Sequence, residues 1–203
     1  MTDDIRLDDI DRSPEEDALE PTVPTHRSAG GPGFIRWFAE LLVMIGLAFL
    51  LALVVRTYVV QPYVVPTSSM VPTIEIQDRV IANKFIYRFG DPEPGDVIVL
   101  DDPSSNVPTL IKRVIAVGGQ TIELVDGRVV VDGVALEEPY TYGKPSEPQV
   151  QTYPYTVPEG SVWVMGDNRT DSLDSRSFGA VPLDSVRGKA VWRYWPLNRL
   201  GTL

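Results

Sequence analysis

The chain has 203 residues, 43% of them hydrophobic, and carries 18 basic against 28 acidic side chains for a net charge of -10. That size fits one compact domain plus separable tail or membrane elements, and the negative balance argues against general affinity for nucleic acid. There is no cysteine and only one histidine, His26, so thiol chemistry, disulfides and multi-histidine metal sites are excluded and a hydrolase here needs another base.

Residues 1–36 read as a disordered tail. Asp3, Asp4, Asp8, Asp9, Asp11, Glu15, Glu16, Asp17 and Glu20 outnumber Arg6 and Arg12, and the following PTVPTHRSAGGPG has little to bury. The apolar run Leu41–Val55 would rise only about 22 Å as a helix. Extension to residues 37–60 adds Trp37, Phe38, Tyr58, Val59 and Val60 and gives a transmembrane helix, with Glu40 and Arg56 near its ends. The alternative is a helix buried in a soluble body, which must account for apolar side chains on every face. Arg27 and Arg36 precede the run and Arg56 follows it, so charge alone does not orient it.

Residues 61–203 form the body. QPYVVPTSSMVP is extended or turn-like because Pro62, Pro66 and Pro72 restrict helix formation. Strands are predicted over Arg79–Tyr87, Asp96–Leu100, Leu110–Val117, Thr121–Val125, Arg128–Val131, Ser161–Met165 and Gly188–Tyr194. Asp126-Gly127 and Asp132-Gly133 are hairpin turn signals. The fold class is mainly β. Residues 138–156, rich in proline and tyrosine, read as a long loop or ribbon.

Three clusters carry candidate chemistry. The segment Pro66–Thr73 follows the anchor closely, so the hydroxyls of Ser68 and Ser69 stay near a membrane surface; lengths alone do not choose between them. In LIKRVIAV, Lys112 and Arg113 face opposite sides of a strand. If Lys112 points inward, desolvation favours a neutral amine able to take a serine proton; if the strand lies at a twisted edge, both cations reach solvent. The segment Gly166–Gly179 is a turn network. A calcium loop built on Asp167, Asn168, Asp171 and Asp174 fits poorly, since the spacing is not that of an EF-hand and Arg169 and Arg176 oppose a cation.

PTSSMVPT, GDVIVL, IKRVIAV and GDNRTDSLDSRSFGAV stand in the order found in bacterial signal peptidase I, and the chain resembles that serine–lysine peptidase family over most of Arg56–Val181. The resemblance implies a β catalytic domain after a single N-terminal transmembrane helix, with Ser69 as nucleophile and Lys112 as base. It also implies an oxyanion role for the Thr67 hydroxyl beside the Ser69 N–H, and an orienting role for Ser172 on the base. Asp167, Asn168, Asp174 and Arg176 would be structural supports, and Tyr63, Val65, Met70 and Ile111 would line or neighbour substrate pockets.

The implied substrates are preproteins bearing signal peptides, cut after small residues of the Ala-x-Ala type. The implied setting is the bacterial plasma membrane, single-pass, with a cytoplasmic N-terminus, an extracytoplasmic domain, and membrane lipids and the export machinery nearby. No metal, cofactor or nucleic acid is called for. Two other readings share the scaffold: a membrane-tethered binding module without activity, and a self-cleaving Ser–Lys protein. The chain departs from the family pattern at Thr67, often serine, at Ser68, often glycine, and at Ala116–Gln120, which lacks a common proline and acid.

Overall fold

The computed structural model describes residues 32–203. Of the expected tail, residues 1–31 lie outside the described residues. Two compact units are distinguished, one ending at Ile45 and one running Gly46–Leu203. Helix α1 (Pro32–Tyr58) starts ahead of the expected Trp37 and stops before Val60, which enters a strand. Its Gly33–Tyr58 stretch is long and apolar enough to cross a membrane, at about 39 Å by helical rise, and none of it is buried in the chain. Among the described residues its side chains are all exposed, which is consistent with a membrane anchor and is not the pattern of a buried core helix.

The rest is mainly β, with strands β1 (Val60–Val64), β2 (Arg79–Asn83), β3 (Val97–Asp101), β4 (Thr109–Val117), β5 (Thr121–Val125), β6 (Arg128–Val131), β7 (Val134–Ala135), β8 (Tyr155–Thr156), β9 (Ser161–Met165), β10 (Val181–Pro182), β11 (Val186–Trp195) and β12 (Gly201–Thr202). The larger sheet has the order β1-β2-β11-β3-β4-β9-β10, with β12 also on β11; the smaller has the order β7-β6-β5-β8. All pairings are antiparallel.

Local chemistry explains several boundaries. The strand expected through Tyr87 ends at Asn83 because the Asn83 side-chain oxygen accepts from the Phe85 and Ile86 N–H groups, turning the chain into a short 3₁₀ turn. Asp126 and Gly127 both take positive φ, 50° and 74°, as the two-residue turn between β5 and β6 requires. At Ala116–Gln120 the Gln120 side-chain oxygen accepts from the Val117 N–H at 3.0 Å, closing the turn without the proline and acid.

Three apolar clusters form the core. One, on Ile115, Ile122, Val129, Trp163 and Met165, joins the small sheet to the large one. A second fills the sheet around Ile98, Leu100, Val114, Val162 and Val164. The third, with Val65, Met70, Ile74, Val80, Val97 and Ala190, lies under the serine-bearing loop. It positions the site.

Candidate active site

The loop after β1 is pinned by its apolar residues. Met70 and Ile74 are buried in the third cluster, the Ile74 N–H donates to the Met70 carbonyl at 2.9 Å, and the Val71 N–H donates to the Ser68 carbonyl at 3.0 Å. A turn anchored this way holds Ser69 at 9% exposure, while Thr67 beside it stays exposed. The Thr67 hydroxyl oxygen is 3.5 Å from Ser69 Oγ.

Lys112 comes from the middle of β4, paired with Ile98 of β3. It points inward. At 2% exposure its amine donates to Ser69 Oγ at 2.6 Å. Burial pushes the Lys112 amine down to about 8, opposed by the Asp174 carboxylate and assisted by the Arg176 guanidinium. Ser68, the other candidate hydroxyl, instead donates to Asp171 Oδ2 at 2.5 Å. The geometry thus joins Ser69, and not Ser68, to the amine.

The loop after β9 closes over this pair. Asn168 N–H donates to the Ser69 carbonyl at 3.0 Å, and Asn168 Nδ2 donates to the Ser68 carbonyl at 3.1 Å. Asp174 caps the short helix α2 (Ser175–Phe178), accepts from the Gly166 N–H at 3.0 Å, and takes a two-bond fork from Arg176 at 2.9 Å per bond. Asp167 takes a second fork from Arg113, at 2.8 and 2.7 Å, and accepts from the Thr73 hydroxyl at 2.5 Å. The carboxylates of the conceivable calcium loop are therefore spent on arginines and on Ser68. Ser172 Oγ is buried without a hydrogen-bond partner among the described residues.

Tyr63, Val65, Met70 and Ile111 meet in the third cluster. Val65 and Met70 are 3% and 1% exposed and act as core, whereas Tyr63 and Ile111 keep partly open faces. A chain with four signatures in order, a buried Ser–Lys contact and a mainly β body carries the features of one group of enzymes. The family model described as "Signal peptidase, peptidase S26" matches residues 38–195. The chain belongs to the signal peptidase S26 family.

Its relatives agree along nearly their full length. It is 41% identical to "Signal peptidase I" of Leptolyngbya laminosa, over 94% of this chain and 97% of the relative. It is 38% identical to "Probable signal peptidase I-1" of Synechocystis sp., over 83% and 88% of the two chains. It is 34% identical to "Signal peptidase I" of Mycobacterium tuberculosis, over 96% and 85%. The chain is thus a serine peptidase by family, with one long apolar helix among the described residues ahead of its β body.

Sequence reasoning passed over four contributors to the site. Arg113 was visible only as the neighbour of Lys112, and Thr73 only as part of a Ser/Thr-rich turn. Arg169 forks onto Glu138 at 2.6 and 2.8 Å and donates to Ser146 Oγ at 2.6 Å, so it ties the 138–156 ribbon to the loop after β9. Tyr140 stacks 4.1 Å from the Arg113 guanidinium carbon. No spacing rule links these positions.

Proposed function

We propose that the protein is a membrane-bound endopeptidase that removes N-terminal signal peptides from exported preproteins, with Ser69 as nucleophile and Lys112 as general base. The observation that carries this reading is the 2.6 Å contact between a buried amine and Ser69 Oγ, with the amine lowered to about 8. A lysine in water holds its proton too tightly to act as a base; a desolvated one releases it near neutral pH.

Neutral Lys112 takes the Ser69 hydroxyl proton as Oγ bonds to the scissile carbonyl carbon. The resulting oxyanion accepts from the Ser69 N–H and the Thr67 hydroxyl. Collapse breaks the C–N bond, and the protonated amine of Lys112 gives its proton to the leaving nitrogen. Water then attacks the Ser69 ester, its proton passing to Lys112, and the acid product leaves with Ser69 restored. We assign the Ser172 hydroxyl, buried and without a hydrogen-bond partner among the described residues, to orient the Lys112 amine once it turns from Ser69 Oγ to the leaving group.

An extended peptide pairs with a sheet edge through its backbone while alternate side chains enter pockets. β1 is such an edge and leads directly into the Ser69 loop. The partly open faces of Tyr63 and Ile111, backed by the buried Val65 and Met70, would bound shallow apolar pockets for small residues, and with them we propose an Ala-x-Ala specificity. We assign residues 61–203 to the extracytoplasmic side of the bacterial plasma membrane and the N-terminus to the cytoplasm, beside the export machinery that delivers preproteins.

The test is cleavage of a signal-peptide-bearing precursor by the purified full chain in detergent. Wild type should cut after an Ala-x-Ala site, and Ser69→Ala and Lys112→Ala should each abolish cutting while remaining folded. A folded wild type without cleavage would favour a tethered binding module; unchanged cleavage in either variant would remove the dyad.

A further inference from the structure

The 138–156 ribbon gives no atom to the Ser69–Lys112 contact, yet one of its side chains ends on the loop that frames it. Lys144 Nζ donates to Asn168 Oδ1 at 2.6 Å. Asn168 itself is 6% exposed and bridges to the nucleophile loop twice: Nδ2 to the Ser68 carbonyl at 3.1 Å, and N–H to the Ser69 carbonyl at 3.0 Å. Among the described residues Lys144 makes no ion pair with a carboxylate. Its exposed chain therefore delivers an ammonium to a buried amide and not to a surface charge partner.

A carboxamide is nearly symmetric in shape, so its partners decide which end is oxygen. An ammonium has three donors and no acceptor, and admits only the oxygen end. Oδ1 also accepts from the Thr170 hydroxyl, but at the longer 3.4 Å. With it held chiefly on Lys144, Nδ2 is turned to the Ser68 carbonyl, which takes the Val71 N–H at 3.0 Å as its other donor. That carbonyl and the Ser69 N–H belong to one peptide group, and in a trans peptide they point in opposite directions. Fixing the carbonyl towards Asn168 aims the Ser69 N–H away from it, on the line needed by an oxyanion donor. The positive charge also polarises the amide and, through it, the peptide, which strengthens that N–H as a donor.

We infer that Lys144 is a positioning residue for the peptidase reaction: through the Asn168 carboxamide it supplies the second of two tethers on the Ser68 carbonyl, beside the Val71 N–H, and so fixes the peptide plane that presents the Ser69 N–H to the oxyanion. This rests on the function proposed above. Lys144 touches no reacting atom, so its effect belongs to the transition state and not to substrate binding.

The experiment compares kcat and KM of the full chain in detergent on one Ala-x-Ala precursor for wild type, Lys144→Met, Lys144→Arg and Lys144→Glu, with thermal unfolding of each. Complete loss of an oxyanion donor lowers kcat by about 100–1000-fold. Partial misorientation should lower it by about tenfold in Lys144→Met, with KM within about twofold. Lys144→Arg, still a donor to Oδ1, should recover most of the rate. Lys144→Glu accepts from Nδ2, reverses the amide and sets Oδ1 against the Ser68 carbonyl, so its kcat should fall below that of Lys144→Met. Unfolding temperatures should match wild type. The inference is overturned if Lys144→Met and Lys144→Glu keep wild-type kcat, or if rates fall only in step with unfolding temperature and Arg gives no rescue. An inactive wild type would instead end the peptidase reading, and this inference with it.

Discussion

Lys112 and Arg113, neighbours in β4, end in opposite electrostatic conditions: the amine of Lys112 is buried against a hydroxyl, while the guanidinium of Arg113 forks onto Asp167. Strand alternation sends them to different sides. The result is a base that is easily deprotonated beside a cation that cannot be. Arg113 also donates to the Gly95 carbonyl at 2.8 Å, so it staples the loop before β3 to the loop after β9. Arg113→Met should leave Asp167 as an uncompensated buried carboxylate and cost about 3–5 kcal/mol of stability. Urea unfolding would measure it; a loss under about 1 kcal/mol would show that the pair contributes little beyond packing.

In the proposed mechanism the lowered Lys112 amine sets the pH dependence. Its active form is neutral, and the neutral fraction grows as pH rises through about 8. Below that point kcat/KM should climb about tenfold per pH unit, and above it the profile should level off. A midpoint near the usual 10.5, or a flat profile across neutral pH, would contradict proton transfer to a buried amine.

Burying that amine costs stability. The gap between 10.5 and about 8 corresponds to roughly 3 kcal/mol. Because the folded value lies below the unfolded one, the penalty is complete below about pH 8, shrinks as pH rises towards 10.5 and vanishes above it. Lys112→Met should therefore be inactive yet more stable than wild type at pH 7, by about 6–12 °C in Tm, with the advantage fading by pH 10.5. A variant less stable at pH 7 would mean that the Ser69 contact outweighs desolvation.

Patterned segments were legible in the sequence and side-chain bridges were not. β5, β6 and β9 follow from alternation and from Asp-Gly turns. β1 was hidden because Pro62 looks like a strand breaker; at a sheet edge its missing N–H costs no ladder bond. β7, β8, β10 and β12 are two residues each, too short for a period to register. The 138–156 ribbon has almost no repeating structure of its own: its order comes from Arg169 on Glu138 and Ser146, and from the Val150 and Gln151 N–H groups on the Arg176 carbonyl at 3.0 Å. The inward turn of Lys112 was likewise undecided in its motif, since only the arrival of Ser69 from 43 residues away settles it.

Thr67 tests the oxyanion assignment apart from the dyad. Its exposed hydroxyl lies 3.5 Å from Ser69 Oγ and makes no other hydrogen bond among the described residues. Thr67→Val keeps shape and β-branching but removes the donor, and should lower kcat by about 100-fold or more at similar KM and Tm. Thr67→Ser should retain most activity. Equal kcat for Val and Thr would assign the second oxyanion donor elsewhere.

Gly166 marks the closest approach in the site. A Cβ built there would overlap the Ser172 hydroxyl and the Ser69 carbonyl oxygen. Both belong to the proposed catalytic arrangement, and neither is the loose end of a long side chain. Gly166→Ala must therefore move the nucleophile loop or the loop after β9, and a misplacement of about 1 Å costs about 100-fold in rate. The expected outcome is a kcat at least about 100-fold below wild type with the fold retained, read by kinetics together with thermal unfolding. Gly166→Ala combined with Ser172→Ala removes the overlap with the Ser172 hydroxyl but leaves those with the Ser172 Cβ and the Ser69 carbonyl oxygen, so it should remain impaired. Full recovery in the double variant would show that the Ser69 carbonyl and the Ser172 backbone yield freely, and would remove the orienting role proposed for the Ser172 hydroxyl.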